Sequence, residues 1–298
     1  MSKRALVLGC GGVAGGAWSI AALHNLQNRL DWDAREAEVM IGTSVGAVLA
    51  ALLGSGVSVD QLVACQRGEG DCRWDHDADT GGALPPWPRP SLTAAKLLAR
   101  GLRGEVSVLT AACGIAPVGR FDMAPFRRLI DSVVPAGQWL KRDGIWLMAV
   151  DSETGERVAF GREDAPAAAL NDAVCASYGV PAWCPPVEIA GRRYIDGGVA
   201  SPTSADFLLD SNIEEVIVLA PMASSNPDNP RSPLARIERR VRRYMTQVVD
   251  SEVEALQAQG KQVTRIEPNA EDLQAIGYNM MDPKRRLRVF ETALQTTA

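Results

Sequence analysis

Two short apolar runs near the start of the chain are each followed by a cluster of glycines and then by an alanine-rich segment. The runs at 5–8 and 39–41 are short and almost wholly apolar, which predicts buried strands. The segments 16–29 and 47–53 that follow them predict helices, and the glycines between mark tight connections. Strands that alternate with helices form mainly parallel sheets with helices on both faces. We therefore predict an α/β fold, a three-layer α/β/α sandwich with a mostly parallel central sheet.

The rest of the chain continues this pattern without a break that would mark a second domain. Further strands are predicted at 145–150, 157–160, 193–195 and 216–219, the first two as a hairpin, and long helices at 237–259 and 283–294. Residues 65–117 differ, because they are rich in tryptophan, proline and acidic residues and show no clear strand period. We predict a single domain over 1–298, with a core at about 5–220, a surface insertion at 65–117 that acts as a lid, and a helical C-terminal extension at 221–298 packed on the core.

The charges of the chain limit the classes of partner that it can bind. The 31 Lys and Arg residues against 36 Asp and Glu residues leave a net charge of −5, which offers no electrostatic surface to a phosphate backbone. We expect no nucleic-acid partner. Paired arginines at 239–240, 242–243 and 285–286 have acidic residues nearby, which favours solvated helix faces over a patch for anionic lipid. The uncharged stretches 5–28 and 39–59 are dense in glycine, so they predict strand, loop and helix rather than membrane spans.

The cysteines indicate a reducing compartment. They are Cys10, Cys65, Cys72, Cys113, Cys175 and Cys184. None forms a C-x-x-C pair and most have apolar neighbours, as expected for buried free thiols. The apolar run that follows the basic start covers only 5–8, shorter than the roughly 7 to 15 residues of a signal peptide. We expect a cytoplasmic protein.

The strongest chemical motif is Gly42-Thr43-Ser44-Val45-Gly46, a G-x-S-x-G between a predicted strand and a predicted helix. A serine on such a sharp turn has a strained backbone that exposes its hydroxyl, and the flanking glycines allow close backbone packing. The helix that follows favours negative charge at its N-terminus. This context makes Ser44 a candidate nucleophile rather than part of an ordinary turn of small residues.

A nucleophilic serine needs a base, and this chain has only two histidines. His24 lies within the first predicted helix and His76 within the insertion, and we interpret both as surface or capping residues. No histidine follows residue 76, which argues against the Ser, acid, His order of α/β-hydrolases. A carboxylate within hydrogen-bond reach can take the proton instead. Asp196, which follows strand 193–195 and precedes two glycines, is either such a base or part of a hairpin turn.

The glycine loop at 9–16 has two functional interpretations. One is a dinucleotide-binding G-x-G-x-x-A from Gly9 to Ala14, which needs an acidic residue about 20 positions later. Asp31 and Asp33 fall near that distance but precede the second strand. The other is an oxyanion hole, formed by backbone N–H groups at the start of a helix. The G-x-S-x-G turn on the neighbouring strand favours the oxyanion hole.

In this order, the glycine loop, the G-x-S-x-G turn and the distant Asp196-Gly-Gly198 resemble the patatin-like phospholipase family. The resemblance covers most of residues 5–220. It extends to Ala176-Ser-Tyr-Gly-Val-Pro181 and Pro185-Pro-Val-Glu-Ile189, which are similar to the segment before the family's aspartate, and to 277–294, which is similar to the tail of bacterial members. One departure is Ala14, where the family's loop commonly carries Arg or Lys.

The resemblance implies a serine acyl-ester hydrolase with a patatin-like fold. Ser44 would be the nucleophile and Asp196 the base, and the N–H groups of Gly11 and Gly12 would form the oxyanion hole. Val45 would add a third N–H through the geometry of the turn that Gly42 and Gly46 allow.

The implied substrate is a lipid acyl ester, a phospholipid or lysophospholipid, reached by peripheral contact with a membrane surface. Neither a metal nor an organic cofactor is expected, and the oligomeric state stays open. Three alternatives also remain: a thioesterase or small-ester esterase with the same dyad, a catalytically silent lipid-binding or scaffold protein, and a nucleotide-binding protein that uses the glycine loop.

Overall fold

The computed structural model of the chain describes residues 3–69, 74, 87 and 95–298, with a mixed β-sheet at its centre. In chain order the strands are β1 (Arg4–Leu8), β2 (Val39–Thr43), β3 (Ile145–Asp151), β4 (Arg157–Phe160), β5 (Val187–Ile189), β6 (Arg192–Asp196), β7 (Glu215–Leu219) and β8 (Gln262–Ile266). They lie side by side in the order β5-β6-β3-β2-β1-β7-β8, and β4 pairs with β3 in addition.

Strand direction divides the sheet into two parts. The pairs β1–β2, β1–β7, β2–β3 and β7–β8 are parallel, so the carboxyl ends of these strands meet at one edge. The pairs β3–β4, β3–β6 and β5–β6 are antiparallel. The predicted hairpin of β3 and β4 is therefore confirmed.

Helices cover both faces of the sheet. In chain order they are α1 (Gly12–Leu30), α2 (Val45–Gly54), α3 (Val59–Arg67), α4 (Ala95–Leu102), α5 (Val108–Cys113), α6 (Ala124–Asp131), α7 (Leu170–Ser177), α8 (Pro233–Ala258), α9 (Ala270–Ile276) and α10 (Arg286–Thr296). Alternate residues of β1 enter opposite cores: Leu6 and Leu8 pack with α1, α2, α7 and α10, whereas Ala5 and Val7 pack with α8. The predicted three-layer α/β/α architecture is confirmed.

The first helix begins at Gly12, so the prediction of a start at Gly16 was wrong. Glycine has a low intrinsic preference for helix, and a sequence pattern therefore assigns such a run to a loop. Here the glycines allow close packing. A Cβ atom on Gly15 would lie 3.2 Å from the Pro221 ring, and one on Gly16 would lie 2.6 Å from Val45 Cγ2. Tertiary contacts therefore outweigh the local preference.

Several further elements differ from the predictions. The sequence pattern missed strands β5 and β8, each of which has only a short apolar signal. The insertion contains helices α4 and α5, and Thr110 Oγ1 of α5 donates a hydrogen bond to the Val199 carbonyl (2.9 Å). The remainder of the predicted lid, at 70–73, 75–86 and 88–94, lies outside the described residues.

Two expectations about side chains need correction. Arg239 and Arg242 are buried rather than solvated, although Arg240 and Arg243 are exposed. Cys65 is disulfide-bonded, which contradicts the expectation that every cysteine is a free thiol. Free thiols are present at Cys10, Cys113, Cys175 and Cys184. A search of the described residues finds no helix that is both long and apolar enough to cross a bilayer.

Candidate active site

Ser44 occupies a sharp turn between β2 and α2. Its φ of 58° and ψ of −122° lie in a region that non-glycine residues rarely adopt, so the turn stores backbone strain. A Cβ atom on Gly42 would lie 2.5 Å from the Gly46 carbonyl oxygen, and one on Gly46 would lie 2.0 Å from the Leu8 carbonyl oxygen. The spacing of the two glycines is therefore required for α2 to start directly against the end of β1.

Strand β3 brings Asp196 to Ser44. Thr43, at the end of β2, lies opposite Met148 of β3, while Asp196, at the end of β6, lies opposite Ala149 on the other side of the same strand. Ser44 and Asp196 are 2% and 5% exposed, and the Ser44 side chain is close enough to lower the pKa of the Asp196 carboxyl group. Two residues that are far apart in sequence thus form one buried pair.

The Asp196 carboxylate is held in a fixed orientation. Its Oδ1 accepts a hydrogen bond from the Gly198 N–H group (2.7 Å), and the Asp196 N–H group donates to the Gly179 carbonyl (3.0 Å). Burial raises the pKa of Asp196 from 3.8 to about 6, and the hydrogen bonds from Ser44 and Gly198 limit the rise. The carboxylate is therefore still ionised at neutral pH and is more basic than an exposed aspartate.

The glycine loop joins the end of β1 to the start of α1. Its first residues are fixed by neighbouring backbone: Gly9 N–H donates to the Leu219 carbonyl and Cys10 N–H to the Pro202 carbonyl, both at 2.9 Å. Within the described part of the chain, the N–H groups of Gly11 and Gly12 have no acceptor. Free N–H groups at a helix start, next to a positive partial charge, are suited to binding an oxyanion.

Close contacts connect the glycine loop to both members of the pair. The start of α2, at Gly46, packs against the carbonyls of Leu8 and Gly9. On the other side, a Cβ atom on Gly198 would lie 2.9 Å from Cys10 Sγ, so the loop after Asp196 is also in contact. Val45 N–H lies at the N-terminus of α2, next to Ser44. The structure thus brings the predicted site residues into one neighbourhood.

The position of Ala14 is covered by the C-terminal part of the chain. Ala14 is fully buried, and its N–H group donates to the Met280 carbonyl (2.9 Å). Gly12 has a φ of +59°, and a Cβ atom there would lie 2.8 Å from Met281 Sδ. A long cationic side chain at position 14 would have to displace this covering segment.

Sequence reasoning did not assign a role to Ser177, although the residue lies in a segment quoted for the family resemblance. Its hydroxyl accepts a hydrogen bond from Ser44 N–H (2.9 Å) and donates one to the Met148 carbonyl (2.6 Å). Ser177 therefore ties the strained turn to the middle of β3. A buried serine at a helix end carries no pattern that would distinguish this role in advance.

Glu252 was also missed. It lies on α8, far from the motifs in sequence, and accepts hydrogen bonds from Ser201, Thr203 and Ala205 N–H. Burial, with the nearby Asp206 charge, raises the pKa of Glu252 to about 7. The segment that it holds contains Pro202, whose carbonyl fixes the glycine loop.

The other candidate residues lie elsewhere. His24 is on α1, where its ring contacts Asn28 and Asp60, and His76 lies outside the described residues. Asp33 caps a short 3₁₀ turn and binds Arg35 before β2 begins. A ribose-binding carboxylate would have to lie after that strand, at its carboxyl end, so the geometry disfavours the dinucleotide interpretation.

Two small, mostly apolar cavities are lined by residues next in sequence to Ser44 and Asp196. One, of about 10 Å³, is bordered by Val45, next to Ser44, and by Phe126 and Tyr178. The other, of about 40 Å³, is bordered by Ile195, next to Asp196.

The chain is similar to known proteins at two levels, solved structures and a family model. A solved structure of VipD from Legionella pneumophila is 12% identical, with a TM-score of 0.44, and the alignment covers 99% of this chain and 66% of that one. The type III effector protein ExoU is 13% identical, with a TM-score of 0.37, and the alignment covers 99% of this chain and 52% of that one. This chain therefore spans about two thirds and about half of their lengths. The search of curated proteins gives no match. The family model for the patatin-like phospholipases matches residues 6–209, more than half of the sequence, so the chain belongs to the patatin-like phospholipase family.

Proposed function

We propose that the protein is a serine hydrolase of lipid acyl esters that works through a Ser44/Asp196 dyad. The observation that carries the proposal is the placement of a serine on a strained strand-to-helix turn beside a buried carboxylate. Strain and burial each cost folding free energy, and such costs persist mainly where they serve a function. Membership of the family adds the class of substrate.

In the proposed reaction, Ser44 Oγ attacks the carbonyl carbon of the ester while its proton passes to the Asp196 carboxylate. The carbonyl oxygen becomes an oxyanion, which accepts hydrogen bonds from the N–H groups of Gly11 and Gly12, with Val45 as a third donor. Collapse of the intermediate breaks the ester C–O bond, and the proton on Asp196 goes to the leaving alcohol. The products of this half are an alcohol and an acyl-enzyme.

Deacylation uses the same groups in the same order. Asp196 takes a proton from a water molecule, the resulting hydroxide attacks the acyl carbonyl, and the oxyanion again occupies the glycine loop. The C–O bond to Ser44 then breaks, and the serine recovers its proton from Asp196. The pKa of about 6 suits this role, because the carboxylate is ionised at neutral pH yet is basic enough to accept a proton transiently.

Family membership and mostly apolar cavity linings favour a lipid as the substrate class. The two linings contain Val45 and Ile195, the sequence neighbours of the dyad residues. The substrates we expect are phospholipids or lysophospholipids, cleaved while the protein is in peripheral contact with a membrane surface.

We include the C-terminal part of the chain in the hydrolase unit, as one domain over 1–298. Strand β8 extends the sheet beside β7, and the Met280 carbonyl holds the start of α1. Loss of this part would therefore release the glycine loop. The insertion at 65–117 is proposed as a lid, since its helix α5 contacts the loop that follows Asp196 through Thr110 and Val199.

A fluorophosphonate probe tests the nucleophile without requiring the natural substrate. We expect the wild-type protein to be labelled at Ser44 and Ser44→Ala to remain unlabelled. A double change of His24 and His76 to glutamine is the control for the dyad, and its labelling should match the wild type. A folded wild-type protein that is not labelled would contradict an activated serine, and loss of labelling in the histidine variant would contradict the dyad.

Substrate profiling then separates the possible esters. Hydrolysis is measured with a phospholipid, a lysophospholipid, an acyl thioester and a short-chain soluble ester, each with Ser44→Ala as the blank. The proposal requires higher kcat/KM for the lipid esters. A preference for the thioester or the short ester would replace the lipid assignment but keep the dyad.

A further inference from the structure

The first half of α8 exposes a stripe of large apolar side chains. Leu234, Ile237, Val241 and Tyr244 are 55%, 58%, 38% and 37% exposed. Their spacing of three, four and three residues places them on one side of the helix, within an arc of about 80° at roughly 100° per residue. Single exposed apolar residues are common, but four in a continuous row are characteristic of a surface that binds a partner.

A row of arginines runs beside this stripe. Its members are Arg236, Arg240 and Arg243 on the helix and Arg231 just before its start, all exposed. Among the described residues, none of the four forms an ion pair with an acidic side chain. The acidic residues of this half of the helix and its approach, Asp228 and Glu238, are already bound to the buried arginines on the inner face. The outer face of α8, defined by these four apolar residues and four arginines, therefore carries uncompensated positive charge.

The inner face of the same half-helix supports the glycine loop. Buried Arg242 donates a hydrogen bond to the Pro221 carbonyl (2.5 Å), and the Pro221 ring packs against Gly11 and Gly15. Met245 packs with Cys10 in a small apolar cluster. A partner bound on the outer face of α8 would therefore lie one helix away from the proposed oxyanion hole.

We propose that the outer face of α8 binds the surface of a membrane that contains anionic lipids. A helix that lies in a membrane interface buries an apolar side to the depth of the headgroups, while flanking arginines bind anionic headgroups. This inference rests on the proposed function, because a lipid hydrolase needs its glycine loop held near the bilayer. The inference adds which surface of the protein contacts the membrane and which headgroup charge that surface binds; neither follows from membership of the family.

The charge pattern disfavours a second copy of this chain as the occupant. Two copies that paired along the stripe would bring arginine rows together, and residues 233–245 of the helix include no exposed acidic residue to balance them. An anionic surface instead matches every one of the four arginines. The partner of this surface is therefore an anionic lipid surface rather than a second copy of the chain.

Vesicle flotation tests this surface independently of catalysis. The full-length chain with Ser44→Ala, which cannot consume the lipid, is mixed with vesicles of phosphatidylcholine alone or of phosphatidylcholine with phosphatidylglycerol. We expect binding to the vesicles that contain phosphatidylglycerol, weakening as salt is added, and much weaker binding to neutral vesicles.

The test variant is Leu234→Ser with Arg240→Gln in the same Ser44→Ala chain. Removal of one interfacial arginine weakens binding about fivefold. Leu234 is 55% exposed, so about half of its side chain is available for burial, which corresponds to another factor of about five. The double change should thus lower the partition coefficient roughly twentyfold. The matched control is Leu287→Ser with Arg288→Gln on α10, which removes a leucine of similar exposure (47%) and one exposed arginine and should leave binding unchanged.

Each outcome decides the proposal. Selective loss in the α8 variant, with both variants showing the wild-type unfolding midpoint, supports it. Equal binding of the two variants, or a change in oligomeric state by sedimentation with no change in vesicle binding, overturns it. A wild-type chain that hydrolyses a soluble ester but binds no anionic vesicle overturns this surface alone, whereas a chain that binds vesicles but is never labelled at Ser44 overturns the proposed function alone.

Discussion

Replacement of Asp196 by asparagine should abolish hydrolysis and at the same time stabilise the folded protein. The asparagine side chain can accept the Gly198 N–H hydrogen bond and keep its place beside Ser44, so the buried contacts are kept. It cannot take a proton from Ser44, so the reaction stops. It also carries no charge that must be removed from water, so a cost present in the wild type disappears.

The size of the stabilisation follows from the pKa of Asp196. The folded protein binds this proton with a pKa of about 6, whereas the unfolded chain binds it with a pKa of 3.8. Each tenfold difference in proton affinity is worth about 1.4 kcal/mol, so the ionised carboxylate costs the folded state about 3 kcal/mol at neutral pH. Because the folded pKa is the higher one, the wild type is not penalised below pH 3.8 and loses stability as the pH rises through about 6.

Urea unfolding over a range of pH measures this difference directly. The free energy of unfolding of Asp196→Asn should exceed that of the wild type by up to about 3 kcal/mol above pH 6, and the two should converge toward pH 3.8. The contrast is Asp151→Asn, since Asp151 is equally buried but bound to Arg192 and to two backbone N–H groups, so it should lose stability at neutral pH. A pH-independent difference, or a less stable Asp196→Asn at neutral pH, would refute the reasoning.

Two further substitutions test the geometry of the turn. Gly46→Ala would place a Cβ atom 2.0 Å from the Leu8 carbonyl oxygen, so urea unfolding should show a loss of about 3 kcal/mol. Gly54→Ala, in the same helix, meets only side-chain atoms of Leu140 and Ile145, at 3.0 Å or more, and should change stability by less than about 1 kcal/mol; equal losses would contradict the clash. Ser177→Ala leaves a buried N–H and a buried carbonyl unpaired and should cost about 2 to 4 kcal/mol and lower kcat more than it raises KM. Ser19→Ala removes a buried hydroxyl that has no partner among the described residues and should be neutral, so a similar loss there would argue against a specific role for Ser177.

Much of the fold could be predicted from local patterns. Strands β1, β2, β3, β4 and β7 were predicted within two residues of their observed ends, because each is a compact apolar run bounded by turn residues. Strands β5 and β8 could not be predicted in this way. Strand β5 has only three residues and β8 alternates polar and apolar residues, so both resemble loops in the sequence. The sequence pattern placed the start of α1 too late because its glycines have low helix propensity. In the fold they allow close contacts with Pro221 and Val45.

The sequence by itself determined the two features of the site that depend on neighbouring residues, the turn at Ser44 and the glycine loop. A serine held between two glycines, after a strand and before a helix, has few backbone conformations available, so the turn at Ser44 could be inferred from five consecutive letters. The glycine loop is similar, because free N–H groups at a helix start are a property of local backbone geometry. Steric limits between neighbouring residues depend on a short stretch of sequence, so they can be inferred from that stretch alone.

Only the tertiary structure decided which residues complete the site. Asp196 lies beside Ser44 because β2 and β6 flank the same strand, and strand pairing is a long-range result that no local pattern contains. The same holds for Ser177 and Glu252, which hold the turn and the loop from distant helices. The raised pKa of Asp196 is a further consequence, since burial depends on everything that packs around a group and not on its neighbours in sequence.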